Sequence, residues 1–236
     1  MGKALMNYLN ERLLQEHSIK RRNETLSTAG PVITISREVG CNGIKLAKLI
    51  ASRLDERKMI SEWKVLSKEV FYQSAKELDM EPERVRKIFK KNDRYQLDDI
   101  LKAFSDRQYK SERKIIKTVT AVVRTFAVDG FSIIVGRAGH IIARDIQNAL
   151  HIRVAAPLEY RIHNIMENNQ LNREEAIIFI KRVEKERTAF RRAISKENLT
   201  EESFDMCINR ASFSNDDIVD IIGYAVDKKK ILIDFK

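Results

Sequence analysis

The chain has 236 residues, 43% of them hydrophobic, and a formal net charge of +10; that is enough for one sizeable core, or a core domain with an inserted subdomain. No apolar run approaches the roughly 20 residues that would span a bilayer, and the opening residues lack the continuous apolar stretch of a signal peptide, so a cytoplasmic protein with no membrane partner is expected. Cys41 and Cys207 fit no metal spacing and call for no disulfide, the four histidines are too scattered for a zinc site, and the positive charge favours anionic partners such as nucleotides or nucleic acid.

Residues 1–29 read as an N-terminal extension. Leu5, Leu9 and Leu13 recur at helical spacing, which predicts one amphipathic helix, a candidate surface for homo-oligomer formation, and then a polar linker. The rest, 30–236, reads as one domain. Val32 to Ser36 is a short β-branched run, expected as a buried strand. It enters a turn at Arg37 to Gly43, and a helix follows with Ile44, Ala47, Ile50, Ala51 and Leu54 on one face. Residues 58–110 are charged and carry no strand signal, so they read as a helical insertion in which Pro82 starts a helix. Ile115, Val119, Val122, Val123 and Phe126 form an apolar stripe on the next helix, which ends at Asp129-Gly130.

Phe131 to Val135 is a second predicted strand, leading into Gly136-Arg137-Ala138-Gly139 and a short helix. A third strand is expected over 149–155, and Pro157 opens another helix. Residues 173–200 are basic and largely helical, a candidate lid. A fourth strand follows at Phe204 to Asn209; then Ser214 caps a helix whose face is read as Ile218, Ile221, Ile222 and Ala225. The tail, Ile231 to Phe235, is read as a last edge strand. Strand–helix alternation of this kind predicts an α/β fold, a three-layer parallel sheet flanked by helices, with no internal repeat.

A strand, a glycine-containing loop and a helix N-terminus together can cradle a phosphate. Residues 35–45 have that form, and the candidate phosphate loop is Gly40, Cys41, Asn42, Gly43, Ile44 and Lys45. The full P-loop pattern places Lys and then Ser or Thr after its last glycine. Aligned on Gly40, the lysine slot here holds Gly43 and the Ser/Thr slot holds Ile44. By itself the segment also reads as an ordinary strand–helix turn that needs glycine for its backbone angles.

The ordered combination of short motifs resembles the cytidylate kinase-like family. Members typically read ISR-x-x-G-x-G-G after the first strand; here Ile35-Ser36-Arg37, Gly40 and Gly43 match, with Asn42 in place of one glycine. The family segment IIVGR recurs as residues 133–137, the Ala-Pro step as Ala156-Pro157 with Arg161 beyond it, the acidic–arginine lid pair as Glu186-Arg187, and the last-strand motif as Phe204 to Asn209. The resemblance implies a P-loop kinase fold with a helical acceptor-binding insertion and a lid. It also implies transfer of a phosphoryl group from ATP, with Mg2+, to a nucleoside monophosphate such as CMP or dCMP.

Bringing two polyanions together demands positioning and charge neutralisation, for which arginine offers a permanently charged bidentate fork. Arg37, Gly136 and Arg137 are then the acceptor-binding candidates, and Arg187, Arg191 and Arg182 the catalytic candidates on the lid. Arg187 and Arg191, four apart, share a helical face. Each has a plainer reading: a surface ion pair between Arg37 and Glu38, an exposed loop arginine at 137, a solvated helix over 181–192. Lys45 either reaches back to the phosphates or points to solvent. Cys41 reads as a small loop residue, His140 as a packed or exposed histidine, and Arg161 as a structural helix residue or a phosphate ligand. Ile44 cannot ligate magnesium, so its ligands are not identified, and Ala138 stands where cytidylate kinases proper carry aspartate. Two other functions remain: a catalytically weak or inactive nucleotide sensor on the same fold, and a nucleic-acid-binding protein. Against the latter, aromatics make up 7% of the chain and do not alternate with basic residues, so no specific nucleic-acid partner is expected.

Overall fold

The structure, a computed structural model, describes residues 29–66, 112–195 and 203–235. The N-terminal helix, the helix expected at Pro82, most of the insertion and residues 196–200 of the lid lie outside them.

The described chain runs β1 (Val32–Arg37), α1 (Gly43–Asp55), β2 (Lys64–Leu66), α2 (Glu112–Asp129), β3 (Ser132–Val135), α3 (Gly139–Ile142), β4 (Ala149–Ala155), α4 (Leu158–Asn169), α5 (Arg173–Ile194), β5 (Met206–Asn209), α6 (Asn215–Lys228) and a 3-10 turn at Ile233–Phe235. The strands form one sheet in the order β2-β3-β1-β4-β5, every pairing parallel. This is an α/β fold with helices on both faces. Register aligns Ile35 with Val135 of β3 and Arg37 with Val154 of β4, so the three central strands finish at a common edge. The chain leaves β1 toward one side of the sheet and later crosses over it from β3 to β4. That reversal opens a crevice beyond the C-terminal end of β1.

Alternation along the strands divides the core into two layers. Ile33, Ile35, Ile133, Val135, Ile152, Val154 and Ile208 face α1 and α6, where Leu46, Ile50, Leu54, Ile218 and Ile222 meet them. Val32, Ile134 and Ala149 face α2 and α3 and pack on Val119, Val123, Phe126 and Ile142. A smaller cluster lies off the sheet: Val39 of the first loop packs with Ile162 and Ile165 of α4 and Ala176, Ile180 and Val183 of α5. Helix α5 begins with a reciprocal cap between Asn172 and Glu175, and α6 with one between Ser214 and Asp217, each satisfying two otherwise orphaned N–H groups.

Three sequence expectations are corrected. A strand, β2, lies within the segment read as a mostly helical insertion without a strand signal. It is only three residues long, too short for a periodicity signal, and it is set by its surroundings: the Trp63 N–H donates to Asp55 Oδ1 at 2.8 Å, the Lys64 N–H to the Phe131 carbonyl at 2.8 Å. The tail is not an edge strand. After a left-handed turn at Lys230 (φ +58°), Ile231 and Leu232 bury in the α1/α6 layer and Phe235 meets Phe131 edge-on, their ring centres 5.8 Å apart. The buried face of α6 is Ile218, Val219, Ile222, Gly223 and Val226; Ile221 and Ala225 are only half-buried.

That last shift gives a direct test by chemical denaturation. Ile222→Ala should cost about 2–5 kcal/mol, the usual range for a buried Ile truncation, while Ile221→Ala should cost clearly less. Equal losses would restore the stripe read from sequence.

Candidate functional site

The loop leaving β1 is fastened to α4. Gly40 has φ +92°, and a Cβ there would lie 2.6 Å from the Arg161 carbonyl oxygen, so only glycine lets the backbones approach. Asn164 Nδ2 donates to the Gly40 carbonyl at 2.8 Å, and Asn168 Nδ2 to Asn42 Oδ1 at 3.3 Å. Asn42 is the N-cap of α1, left-handed at φ +50°, and its side chain makes no capping hydrogen bond. The first N–H groups of α1 have no carbonyl within their own helix to reach, which makes this end a ready anion cradle.

Arg161 is the bracket behind the loop. Its side chain is 14% exposed, and its Nε lies 3.3 Å from Glu38 Oε2 and donates to the Ala156 carbonyl at 3.0 Å. Glu38 also accepts from the Ala156 N–H at 3.1 Å, and Glu184 of α5 accepts from the Val39 N–H at 2.7 Å. Glu38 therefore pairs with Arg161, and at 3.9 Å with Arg153, rather than with Arg37. The sequence offers Glu38 only as a partner for Arg37 and does not single out Glu184, since single acids next to arginines are common.

With Glu38 drawn away, Arg37 has no hydrogen-bond or ion-pair partner for its guanidinium among the described residues. The side chain lies across the edge of the sheet: a Cβ on Gly136 would fall 2.1 Å from Arg37 Nη1. Gly136 (φ +78°), Arg137 (φ +55°) and Ala138 (φ +54°) are successive left-handed residues. Such a conformation costs of the order of 1–3 kcal/mol at each non-glycine and persists only where its surroundings enforce it. Here the Gly136 N–H donates to the Ile35 carbonyl at 2.9 Å and the Gly139 N–H to the Gly136 carbonyl at 3.0 Å.

Arg187 reaches the same place from α5, donating from Nη1 to the Arg37 carbonyl at 2.9 Å. Its Nε is buried without a partner among the described residues. Burial, then the Arg187 and Arg137 charges, push the Arg37 pKa well below its ordinary value. Burial and Arg187 do the same to Arg137. Burial, with Arg191 outweighed by nearby Glu184, lowers Arg187. All three residues keep part of their surface open while protein crowds their charged ends. Arginine stays ionised at working pH, so burial first and mutual repulsion second both favour a bound anion here.

The other sequence candidates lie around this cluster. Arg191 donates to Thr188 Oγ1 at 3.3 Å, while Arg182 sits over the Phe179 ring at 5.6 Å. Ile44 packs against the α1/α6 layer, and Lys45 is exposed. Cys41 is fully buried; burial and then Glu38 push its thiol up to about 11, so it is no nucleophile. His140 is buried, its ring centre 4.6 Å from that of Phe204.

One feature escaped the sequence reading. On the α2/α3 side, β1 and β4 carry Thr34, Ser36, His151 and Arg153, with Thr34 Oγ1 and His151 Nδ1 sharing a hydrogen bond of 2.8 Å; Arg153 lies 5.8 Å from the Phe204 ring centre. A central parallel strand is ordinarily apolar on both faces, so the alternation His151, Ile152, Arg153, Val154 was a signal of a polar face.

The described residues around the loop do not fit a magnesium ion held by the protein. Ile44 offers no oxygen, Glu38 and Glu184 are committed to Arg161 and backbone N–H groups, and no group of three His, Cys, Asp or Glu among the described residues could hold a metal.

The cytidylate kinase-like family model matches residues 32–212, from β1 to just beyond β5, and the chain belongs to that family. With membership comes a nucleotide-kinase fold. An uncharacterized protein from Eubacterium ventriosum shares the fold, with a TM-score of 0.59 at 20% identity, over 83% of this chain and 98% of its own. TT1252 from Thermus thermophilus is a looser likeness, with a TM-score of 0.45 at 16% identity, over 85% and 98%. No curated protein matches the chain.

Two measurements probe this geometry. Iodoacetamide at pH 8 should label exposed Cys207 and spare Cys41 until the protein unfolds; rapid labelling of both would contradict the buried, protonated thiol. Sulfate should raise the melting temperature more than chloride at equal ionic strength, since an anion bound only by the folded state stabilises by about 2.7 kcal/mol at a hundred times its Kd. Arg187→Met should erase that difference, and an unchanged response would detach Arg187 from the anion site.

Proposed function

We propose that this member of the cytidylate kinase-like family transfers the γ-phosphoryl group of ATP to a nucleoside monophosphate, with CMP and dCMP the leading acceptors. The observation that carries the proposal is the convergence of Arg37, Arg137 and Arg187 at the C-terminal edge of the sheet, with no carboxylate paired to Arg37. Clustered guanidiniums at a strand edge, beside an open helix N-terminus, suit a ligand carrying several phosphates.

In this scheme Gly40 to Lys45 and the start of α1 cradle the donor phosphates. The Gly136-Arg137 turn receives the acceptor phosphate, and Arg37 lies between that turn and the donor loop. Arg187 and Arg191, with Arg182 farther along the helix, neutralise charge on the group in flight. An acceptor phosphate oxygen attacks the γ-phosphorus, the bond to the β–γ bridging oxygen breaks, and ADP leaves. The acceptor is already ionised, so no general base is required, and His140 can remain packed on Phe204. Catalysis comes from positioning and from charge held ready in a crevice. Magnesium arrives with ATP as part of the substrate. A second reading, a nucleotide sensor with little or no transfer, draws support from Gly43 and Ile44 in the lysine and magnesium-ligand slots.

Steady-state kinetics with a panel of monophosphates, read by coupled ADP release, tests the proposal. Arg137→Ala should mainly raise KM for the acceptor, because a strand-edge residue meets that phosphate in the ground state. Arg187→Ala should lower kcat roughly 100- to 1,000-fold, the usual loss for one transition-state donor, and Arg191→Ala should act in the same direction. Wild-type protein that binds ATP but phosphorylates no monophosphate would overturn the kinase proposal in favour of the sensor.

A further inference from the structure

We propose that Arg37 replaces the P-loop lysine, bringing positive charge to the β- and γ-phosphates of the donor from the strand side of the loop, and that Gly43 and Gly136 are glycines because its side chain runs past both. This deepens the nucleotide-kinase reading of the same site and rests on it. Aligned on Gly40, the position where a P-loop carries lysine is Gly43. A Cβ at Gly43 would lie 3.0 Å from Arg37 Cγ and 3.3 Å from its Cδ, so the arginine stem passes directly over that position. Farther along, a Cβ at Gly136 would fall 2.1 Å from Arg37 Nη1. The stem therefore crosses the first residue of α1, and the guanidinium ends against the edge of β3. That is the crevice where the strand order reverses, between the helix N-terminus and the turn carrying Arg137.

Two further observations single out Arg37. Its guanidinium has five N–H donors and no hydrogen-bond or ion-pair partner among the described residues, although Arg187 holds its backbone carbonyl. Lys45, the other candidate for the missing charge, is exposed, whereas Gly43 is buried. At about 100° per residue, Lys45 projects some 200° round the helix from the lysine slot. A lysine at 43 and an arginine at 37 would compete for one volume, so the loss of the P-loop lysine and the gain of the arginine are a single exchange.

The test is calorimetric binding of inorganic tripolyphosphate and of ATP to the full chain, alongside melting temperatures and kcat/KM. The variants are Arg37→Met, Gly43→Lys and the double substitution Arg37→Ala with Gly43→Lys. Arg37→Met should weaken tripolyphosphate binding about 10- to 100-fold, the range for losing a charge-assisted hydrogen bond, without lowering the melting temperature. Gly43→Lys alone should also weaken binding, because the new side chain collides with the arginine. The double variant should recover most of the lost affinity, a rescue that a purely structural role for Arg37 would not allow.

Unchanged binding by Arg37→Met, or tighter binding by Gly43→Lys alone, overturns the inference even where wild type proves an active kinase. Should Arg37→Met fail to fold, the double variant decides: folded protein without regained affinity also overturns it. Arg37-dependent binding without transfer to any monophosphate sustains the inference and sinks the kinase proposal. Wild type that binds neither tripolyphosphate nor ATP ends both.

Discussion

Like charges held close together at the edge of a parallel sheet are the constraint around which this molecule is arranged. Arg37, Arg137 and Arg187 come from β1, from the turn after β3 and from α5, and each is crowded by protein while feeling another's charge. Water would ordinarily dissipate such repulsion, and burial removes much of that screening. The nearby acids offset it only in part: Glu184 acts on Arg37 and Arg187 but is shared with the Val39 N–H and Arg161, while Glu38 faces Arg161 and Arg153. The folded chain thus keeps a standing demand for anions at one end of the sheet, and the stability held elsewhere maintains it.

That stability comes from two sources. The apolar layers on the sheet fix the strands, and therefore the height at which Arg37 and Gly136 emerge. The small cluster of Val39 with α4 and α5 then fixes the loop and Arg187 relative to those strands. Helix α5 bridges the two: its first half packs on α4, while Phe190 and Ile194 near its end pack against the α2 layer. Any movement of α5 would have to exchange the Glu184 and Arg187 bonds to the loop, so the helix and the loop are mechanically linked. The left-handed run Gly136-Arg137-Ala138 adds local strain at the point where the Arg137 side chain leaves the sheet.

On the α2/α3 side, the polar face made by Thr34, Ser36, His151 and Arg153 continues the same design. Burial lowers the His151 pKa, opposed by the Asp205 charge, which leaves a neutral ring hydrogen-bonded to Thr34 near neutral pH.

The sequence by itself determined the α/β architecture, because buried β-branched runs alternating with helical stripes leave few alternatives. It marked β1, β3, β4 and β5, and it placed Arg37 and Arg137 at strand ends, where a parallel sheet presents its ligands. It did not reveal β2, whose three residues are strand only because Phe131 and Asp55 hold them, nor the burial of Ile231 and Leu232, which reads equally well as an edge strand. It misplaced the buried face of α6 because Ile221 and Ile222 are chemically equivalent and only the packing angle distinguishes them. Tertiary structure alone decided that Glu38 turns to Arg161, that Arg187 arrives from more than a hundred residues away to hold the Arg37 carbonyl, and that Gly43 and Gly136 flank one arginine. Those relations depend on where separate elements cross in space, and sequence periodicity records the face of an element without recording what lies opposite it.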